Sequence, residues 1–230
     1  MKVNFLLCDD FKNELTRDVP SYESLFFTLF DQISPGAVFK IFDVRKNEYP
    51  SNIEQDELCL IPGSHAGAYE KHQWVQRLLD FVKQAHSRKA KLLGVCFGHQ
   101  LIAQALGGNV APAAGWGGGL RESNVKFTDN AFPQKKIQLL YNHNDQVTKL
   151  PAGAKLIAES AFCPFEGFTL ENIVTLQGHP EYTIEYCRHL IENYSLDKPE
   201  AVRAAALKSI ASGVHDGVRV TAWALEQLGF

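Results

Sequence analysis

The chain has 230 residues, of which 45% are hydrophobic and 21% are charged, and its formal net charge is −3 at pH 7. These values are typical of a globular protein that is long enough to bury a three-layer core, and we predict a single domain over residues 1–230. The small negative net charge and the scattered Lys and Arg residues give no reason to expect nucleic acid or an anionic membrane as a partner.

The amino-terminal apolar run is too short for a targeting or membrane segment. It covers Val3–Cys8 and stops at Asp9-Asp10, whereas a membrane span needs about 20 apolar residues. We interpret it as the first buried strand of a sheet. The five cysteines are odd in number, irregularly spaced and without a C-x-x-C pair. They indicate neither a zinc ribbon nor a thioredoxin-type pair, and free thiols predict a reducing, cytoplasmic location.

In the first half of the chain, short apolar runs alternate with longer amphipathic ones. Strands are predicted at Val3–Cys8, Val38–Val44, Leu58–Ile61 and Lys91–Val95, and helices at Tyr22–Ile33, Tyr69–His86 and Gln100–Leu106. In the second of these helices, apolar residues recur every three or four positions. Strands separated by crossover helices favour a parallel sheet with helices on both faces.

The pattern changes after Gly107-Gly108. Short runs between turn residues predict antiparallel strands added to the sheet, at Glu122–Phe127, Ile137–Tyr141, Ala154–Glu159, Phe165–Leu170 and Ile173–Leu176. We interpret Gly115–Gly119 as a mobile loop beside a site or as a cluster of turns. Residues 182–230 form a helical C-terminal extension in three pieces, which we expect to cover a pocket or form an interface. The predicted fold is α/β, a three-layer, open, mostly parallel sheet flanked by helices.

The segment Gly94-Val95-Cys96-Phe97-Gly98-His99-Gln100 lies where a predicted strand meets a predicted helix. A cysteine with Gly two residues before and after it has the layout of a nucleophile elbow, because small neighbours let the backbone turn sharply. The helix N-terminus would favour the thiolate over the thiol. A small buried cysteine would fit the same pattern, so the segment alone leaves both interpretations open.

A second segment, Gln177-Gly178-His179-Pro180-Glu181-Tyr182, follows the predicted strand Ile173–Leu176. Residues two apart in an extended chain point to the same side, so Glu181 can accept a hydrogen bond from one imidazole nitrogen of His179. The other nitrogen is then left to face Cys96. Alone, H-P-E more often marks a polar turn before a helix. Because both segments follow strand ends at the site-forming edge of an α/β sheet, we predict a triad of Cys96, His179 and Glu181.

These two segments resemble the signature motifs of the class I glutamine amidotransferase family. Leu60–Ser64 resembles the end of the family's oxyanion-loop strand, and Asn142–Val147 with Leu150–Ala154 resembles the segment before the last strands. The chain is most similar to stand-alone proteins related to the glutaminase part of GMP synthetase, a group that includes γ-glutamyl peptidases. The resemblance implies a flavodoxin-like fold and a reaction without metal or cofactor.

The resemblance also implies how the triad would act. Cys96 would attack the side-chain amide carbon of glutamine or of another γ-glutamyl group, His179 would transfer the protons and Glu181 would orient His179. Water would then hydrolyse the thioester. His99 and His143 are alternative bases, but we interpret them as a hydrogen-bonding residue on the helix and a structural loop residue.

Further residues are implied to bind the oxyanion and the substrate. One oxyanion donor would be the Phe97 N–H, and the other a backbone N–H at Gly63 or Ser64, with Ser64 preferred. Gln100 lies one helical turn beyond the nucleophile and would contact the substrate. The substrate's α-amino and α-carboxyl end would be held by Asn142, Asn144 and Asp145. In one place the chain departs from the family, since its loop after the nucleophile helix, Gly115–Gly119, lacks the acid of the family's Trp-Glu element.

We therefore predict a cysteine-dependent hydrolase that releases ammonia or an amine from glutamine or a γ-glutamyl compound. It would serve a synthetase subunit that receives the ammonia, or act alone as a γ-glutamyl peptidase on glutathione-like substrates. A non-catalytic regulatory or binding subunit of an amidotransferase complex stays an alternative. The sequence has no P-loop, so we do not expect the chain itself to activate an acceptor. Cysteine proteinases of the related superfamily fit less well, because they commonly have a histidine directly after the nucleophile, where this chain has Phe97. An α/β-hydrolase also fits less well, because its acid precedes the histidine in the chain, whereas Glu181 follows His179.

Overall fold

A computed structural model describes residues 1–9, 20–126, 132 and 135–230, with Ser212 described by its backbone alone. The strands of these residues are β1 (Lys2–Leu7), β2 (Val38–Asp43), β3 (Glu57–Ile61), β4 (Lys91–Val95), β5 (Asn109–Val125), β6 (Lys136–Lys149), β7 (Lys155–Glu159), β8 (Gly167–Leu170) and β9 (Ile173–Leu176). The helices are α1 (Tyr22–Ile33), α2 (Gln73–Ser87), α3 (Phe97–Ala105), α4 (Ile184–Asn193), α5 (Glu200–Ser209) and α6 (Gly217–Gln227), with 3₁₀ turns at Val44–Lys46 and Ile210–Ser212.

The described strands form one open sheet in the order β2-β1-β3-β4-β9-β8-β7-β5-β6. From β2 to β9 every pairing is parallel. Strands β3 and β4 read as nearly continuous apolar runs because both of their faces are covered. Helices α1, α4 and α6 pack on one face, and α2 and α3 pack on the other. The predicted α/β sheet with helices on both faces is confirmed.

The other half of the sheet is antiparallel, as predicted for the strands added after Gly107-Gly108. The prediction is wrong in part for Ile173–Leu176, because this strand, β9, pairs antiparallel with β8 but in parallel with β4. The antiparallel half is larger than the sequence indicated, because β5 and β6 form one long hairpin at the edge. The run predicted at Glu122–Phe127 is only the end of β5, and Phe127 lies outside the described residues. The run predicted at Ile137–Tyr141 continues to Lys149, so residues 142–147 lie on a strand.

The interpretation of Gly115–Gly119 as a loop or turn cluster is wrong, because these residues belong to β5. The last three glycines pair with residues of β6: Gly117 with His143, Gly118 with Asn142 and Gly119 with Tyr141. A Cβ on Gly117 would lie 2.2 Å from His143 Nε2, and one on Gly119 would lie 2.4 Å from the hydroxyl of Ser209 on α5. Close packing against other elements therefore requires glycine at positions 117 and 119. The register of β5 against β6 shifts between Pro112 and Gly117, so the strand is irregular just before these glycines.

The helices mostly follow the predictions. Helix α2 begins at Gln73 and not at Tyr69, because Gly67–Glu70 form a turn in which the Glu70 N–H donates to the Gly67 carbonyl. The three C-terminal helical pieces are present as α4, α5 and α6. No helix within the described ranges is both long and apolar enough to cross a membrane.

Candidate active site

Cys96 occupies the tight junction between β4 and α3. Its backbone has φ 51° and ψ −103°, a strained conformation for a residue with a side chain and one expected at a nucleophile elbow. A Cβ on Gly98 would lie 2.0 Å from the Ile61 carbonyl oxygen, and one on Gly94 would lie 2.7 Å from the Gly98 backbone. The two glycines therefore let helix α3 approach the sheet closely. The Cys96 side chain is presented at the carboxyl edge of the sheet, and the residue is 6% exposed.

His179 and Glu181 follow β9 and lie beside that edge. The His179 N–H donates to the Leu140 carbonyl at 2.7 Å, which pins the segment to β6. His179 Nδ1 donates to Glu181 Oε1 at 2.7 Å, and both residues are buried. A Cβ on Gly63 would lie 3.1 Å from His179 Cε1 and 3.8 Å from Cys96 Cβ, so these two side chains flank the same glycine. The structure thus brings together the three residues of the predicted triad.

The surroundings of His179 favour its charged form. Burial by itself would lower the pKa of the imidazole, but Glu181 and then Cys96 outweigh it and raise the pKa to about 10. His179 Nε2 has no hydrogen bond to any described residue. The charge of Glu181 is therefore the main cause of the raised pKa of His179. A protonated imidazole at this position can donate a proton to a nitrogen that leaves the substrate.

The other two buried histidines are neutral parts of the fold. His99 bonds to Thr175 Oγ1 at 2.8 Å and to the Phe165 carbonyl at 3.0 Å, and burial lowers its pKa to about 3. His143 Nδ1 bonds to a backbone carbonyl at 2.9 Å, and burial lowers its pKa to about 4. His143 lies on strand β6 and not in the loop that was predicted. Neither has a carboxylate partner like that of His179.

Residues 63–65, here called the oxyanion segment, follow β3 and face the elbow. The Gly63 N–H donates to the Tyr22 hydroxyl at 2.9 Å, so it already has an acceptor. The Ser64 hydroxyl has two acceptors within reach, the Cys8 carbonyl oxygen at 3.2 Å and Asp9 Oδ2 at 3.3 Å, and the His65 N–H donates to Asp9 Oδ2 at 3.0 Å. The N–H groups of Ser64 and Phe97 have no acceptor among the described residues. This arrangement favours Ser64 over Gly63 as the second oxyanion donor.

A cavity of about 270 Å³ opens above Cys96. All the predicted substrate residues line it, together with residues of the oxyanion segment: Ser64, His65, Cys96, Gln100, Asn142, Asn144 and Asp145. The Gln100 amide donates to the Asp145 carbonyl at 2.8 Å, and Asn142 Oδ1 accepts from the Trp116 indole at 2.9 Å. A larger cavity of about 720 Å³ lies between α1 and α6 and contains no predicted site residue, so we assign the chemistry to the smaller one.

The C-terminal extension forms one wall of the small cavity. Its lining residues are Leu190, Tyr194, Ser195, Asp197 and Lys198, at the end of α4 and in the connection to α5. This is the covering role that we expected as one of two alternatives. In the part of the chain that the structure describes, no three His, Cys, Asp or Glu side chains are grouped as metal ligands.

Two tyrosines at the site were not predicted. The Tyr182 ring stacks on the His179 imidazole, with centroids 3.9 Å apart and planes 8° apart. The Tyr22 hydroxyl donates to Glu181 Oε1 at 3.1 Å. Tyr182 could have been noted as the residue that follows H-P-E. Tyr22 carries no such signal, because it lies 159 positions from Glu181 and patterns as an ordinary apolar helix residue.

Comparison with known proteins identifies the family of the chain. Residues 36–196 match the sequence model of the family described as "Glutamine amidotransferase class-I". Gamma-glutamyl peptidase 4 of Arabidopsis thaliana is 32% identical over 183 residues, which cover 74% of this chain and 72% of the relative. A glutamine-hydrolyzing GMP synthase of Streptococcus pyogenes is 34% identical over 116 residues, which cover 46% of this chain and 22% of the synthase.

Solved structures agree on the fold. A crystal structure of a glutamine amidotransferase from Thermotoga maritima matches with a TM-score of 0.75 at 20% identity, over 99% of this chain and 95% of that one. At this identity the likeness establishes the fold, whereas the family assignment rests on the sequence match over residues 36–196. The chain belongs to the class I glutamine amidotransferase family.

Proposed function

We propose that this protein is a cysteine hydrolase of γ-glutamyl amides, with Cys96 as nucleophile, His179 as proton carrier and Glu181 as the orienting acid. The observation that carries the proposal is the strained elbow at Cys96 beside a buried His179–Glu181 pair joined at 2.7 Å. A regulatory subunit would have no need of this combination, because a strained backbone and a buried ion pair both cost stability.

The first half of the reaction forms a thioester. The proton of Cys96 is already held on His179 Nε2 when Cys96 Sγ attacks the amide carbon, and the carbonyl oxygen becomes an oxyanion that accepts from the N–H groups of Phe97 and Ser64. Each such donor is worth about 3 kcal/mol at comparable sites. His179 then protonates the leaving nitrogen, the C–N bond breaks, and ammonia or an amine departs.

The second half restores the enzyme. His179 takes a proton from water, the resulting hydroxide attacks the thioester carbon, and the same two N–H groups hold the second oxyanion. The C–S bond breaks, glutamate is released, and Cys96 Sγ is again paired with the protonated imidazole of His179. Glu181 stabilises the imidazolium in both halves and is not itself protonated.

The size of the cavity bears on the substrate. Small-molecule sites usually enclose about 300–1,000 Å³, so a cavity of about 270 Å³ suits an amino acid or a short γ-glutamyl compound. We propose that Gln100, Asn142, Asn144 and Asp145 hold the α-amino and α-carboxyl end of the glutamyl group. The γ-glutamyl peptidase relative, which matches over nearly three quarters of both chains, supports hydrolysis of γ-glutamyl peptides.

A second candidate is the supply of ammonia to a synthetase subunit. The observation that favours it is the similarity of 116 residues to part of a GMP synthase that hydrolyses glutamine. The same triad would then act on free glutamine, and the ammonia would pass to an acceptor bound by the partner.

A substrate panel tests the proposal and separates the two candidates. Ammonia, amine and glutamate release would be measured from glutamine, glutathione, γ-glutamyl amines and γ-glutamyl dipeptides, with and without cell lysate, using Cys96→Ser as the control. We expect the peptides to be preferred, and Cys96→Ser to abolish release while keeping the fold. If glutamine is hydrolysed only when both the wild-type protein and lysate are present, the second candidate is favoured. No release from any substrate, with Cys96 unlabelled by a glutamine-like diazo-ketone, would exclude both.

A further inference from the structure

We propose that Tyr22 is a positioning residue that holds the acid of the triad and the oxyanion segment in one arrangement. This inference rests on the proposed function and goes beyond it. The Tyr22 hydroxyl lies between the two parts of the site: it donates to Glu181 Oε1 at 3.1 Å and accepts from the Gly63 N–H at 2.9 Å. One oxygen atom therefore sets the distance between the carboxylate and the backbone that precedes Ser64.

The phenol suits this position because a hydroxyl can donate and accept at once. Tyr22 is 1% exposed, and burial, followed by the charge of Glu181, raises the pKa of its phenol well above the ordinary value. The phenol therefore keeps the proton that it donates. Its ring makes an edge contact with Tyr182, at 6.3 Å and 72°, and Tyr182 stacks on His179. The hydroxyl consequently has little freedom to leave either partner.

The contact with Gly63 also decides which N–H group is left for the oxyanion. Since the Gly63 N–H points to Tyr22, the Ser64 N–H is the one that can act together with that of Phe97. Asp9 holds the other side of the segment by accepting from the Ser64 hydroxyl and from the His65 N–H. The segment is thus anchored by side chains of its own chain, and we expect a formed oxyanion hole without a partner subunit.

Kinetics of Tyr22→Phe test the role. We expect kcat for the best γ-glutamyl substrate to fall about 10- to 100-fold, with KM nearly unchanged, because a hydrogen bond to a buried carboxylate is lost and a buried N–H is left without an acceptor. Tyr49→Phe is the matched control, since the buried Tyr49 hydroxyl has no hydrogen-bond partner among the described residues. In a Glu181→Gln background, Tyr22→Phe should have a smaller effect, because the contact with the Glu181 carboxylate is already lost and only the contact with the Gly63 N–H remains to be removed.

A further measurement separates this inference from the proposed function. Amide hydrogen exchange at Gly63 needs no turnover, and in Tyr22→Phe we expect it to be at least about tenfold faster than in the wild type. Thermal melts of the wild type and of Tyr22→Phe would show that both proteins are folded.

Two outcomes would overturn the inference. The first is a folded Tyr22→Phe with unchanged kcat and unchanged Gly63 exchange. The second is an equal loss of kcat on Tyr22→Phe substitution in the wild-type and Glu181→Gln backgrounds. A wild-type protein that hydrolyses no γ-glutamyl compound, but whose Gly63 exchange still depends on Tyr22, would refute the proposed function and support the tether between Tyr22 and the oxyanion segment.

Discussion

Replacing Glu181 by Gln removes one charge from the centre of the site and leaves nearly the same shape. In the wild type, burial lowers the pKa of His179, and the charge of Glu181 is the largest of the effects that together raise it to about 10. Two other buried histidines, His99 and His143, lack a carboxylate partner and have pKa values of about 3 and about 4. We therefore expect His179 in Glu181→Gln to be neutral at pH 7.

The loss of charge sets the size of the effect on catalysis. The corresponding acid-to-amide change in a serine triad lowers kcat by on the order of 10⁴-fold, because the imidazole takes the wrong tautomer and its charged form loses its partner. A thiol is more acidic than a serine hydroxyl and depends less on its base. We accordingly expect a fall in kcat of about 10²- to 10⁴-fold, with a small change in KM.

The same substitution changes how stability depends on pH. The folded-state pKa of His179, about 10, lies above the unfolded value of about 6.5. A group with a raised pKa contributes stability that is fully present below the unfolded pKa and is lost as pH rises through the folded pKa. Relative to Glu181→Gln, the wild type should therefore lose unfolding free energy between about pH 6.5 and pH 10. At each pH the unfolding free energy of Glu181→Gln is subtracted from that of the wild type. This subtraction removes the contributions of the distant thiols and phenols that titrate in the same range in both proteins.

Both effects can be measured on purified protein. Glutamate release gives kcat and KM, denaturant melts at several pH values give the unfolding free energy, and NMR of the imidazole gives the pKa of His179. Glu185→Gln, on the exposed side of α4, is the control for removal of a nearby surface carboxylate. A Glu181→Gln protein with wild-type kcat, or with an unchanged His179 pKa, would refute the assignment of Glu181 as the orienting acid.

Two more predictions concern the elbow. Gly98→Ala would place a Cβ 2.0 Å from the Ile61 carbonyl oxygen, so we expect a drop in Tm on the order of 5 °C together with loss of activity. Gly115→Ala is the control and should leave the Tm unchanged, because a Cβ there meets nothing within 4 Å. Equal Tm values for the two variants would contradict the packing argument. In a brief iodoacetamide treatment at pH 7, Cys96 should be the main site of alkylation by mass spectrometry, because burial raises the thiol pKa of the other four cysteines, to about 12 for three of them. Labelling that is unaffected by Cys96→Ser would contradict this.

Features that depend on neighbouring residues could be predicted from the sequence. The strand-to-helix turn at Cys96 follows from glycines two positions away on each side, and the pairing of His179 with Glu181 follows from their spacing in extended chain. The parallel half of the sheet follows from alternating strands and helices. In each case the physical cause acts within a few residues, so the pattern shows it directly.

The tertiary structure decided the features whose causes are far apart in the chain. Gly115–Gly119 has the composition of a loop, yet it belongs to β5, because Gly117–Gly119 pair with β6. At Gly117 and Gly119 the space that a side chain would need is taken by His143 on β6 and by Ser209 on α5. Tyr22 joins the site only because α1 packs against the sheet edge that carries Glu181 and Gly63. The sequence by itself indicated Cys96 and His179 as the proposed nucleophile and base, since each stands in a short segment whose local backbone geometry the neighbouring residues determine. Only the folded chain decided which N–H group is free for the oxyanion, because that depends on a hydroxyl brought from 41 positions away.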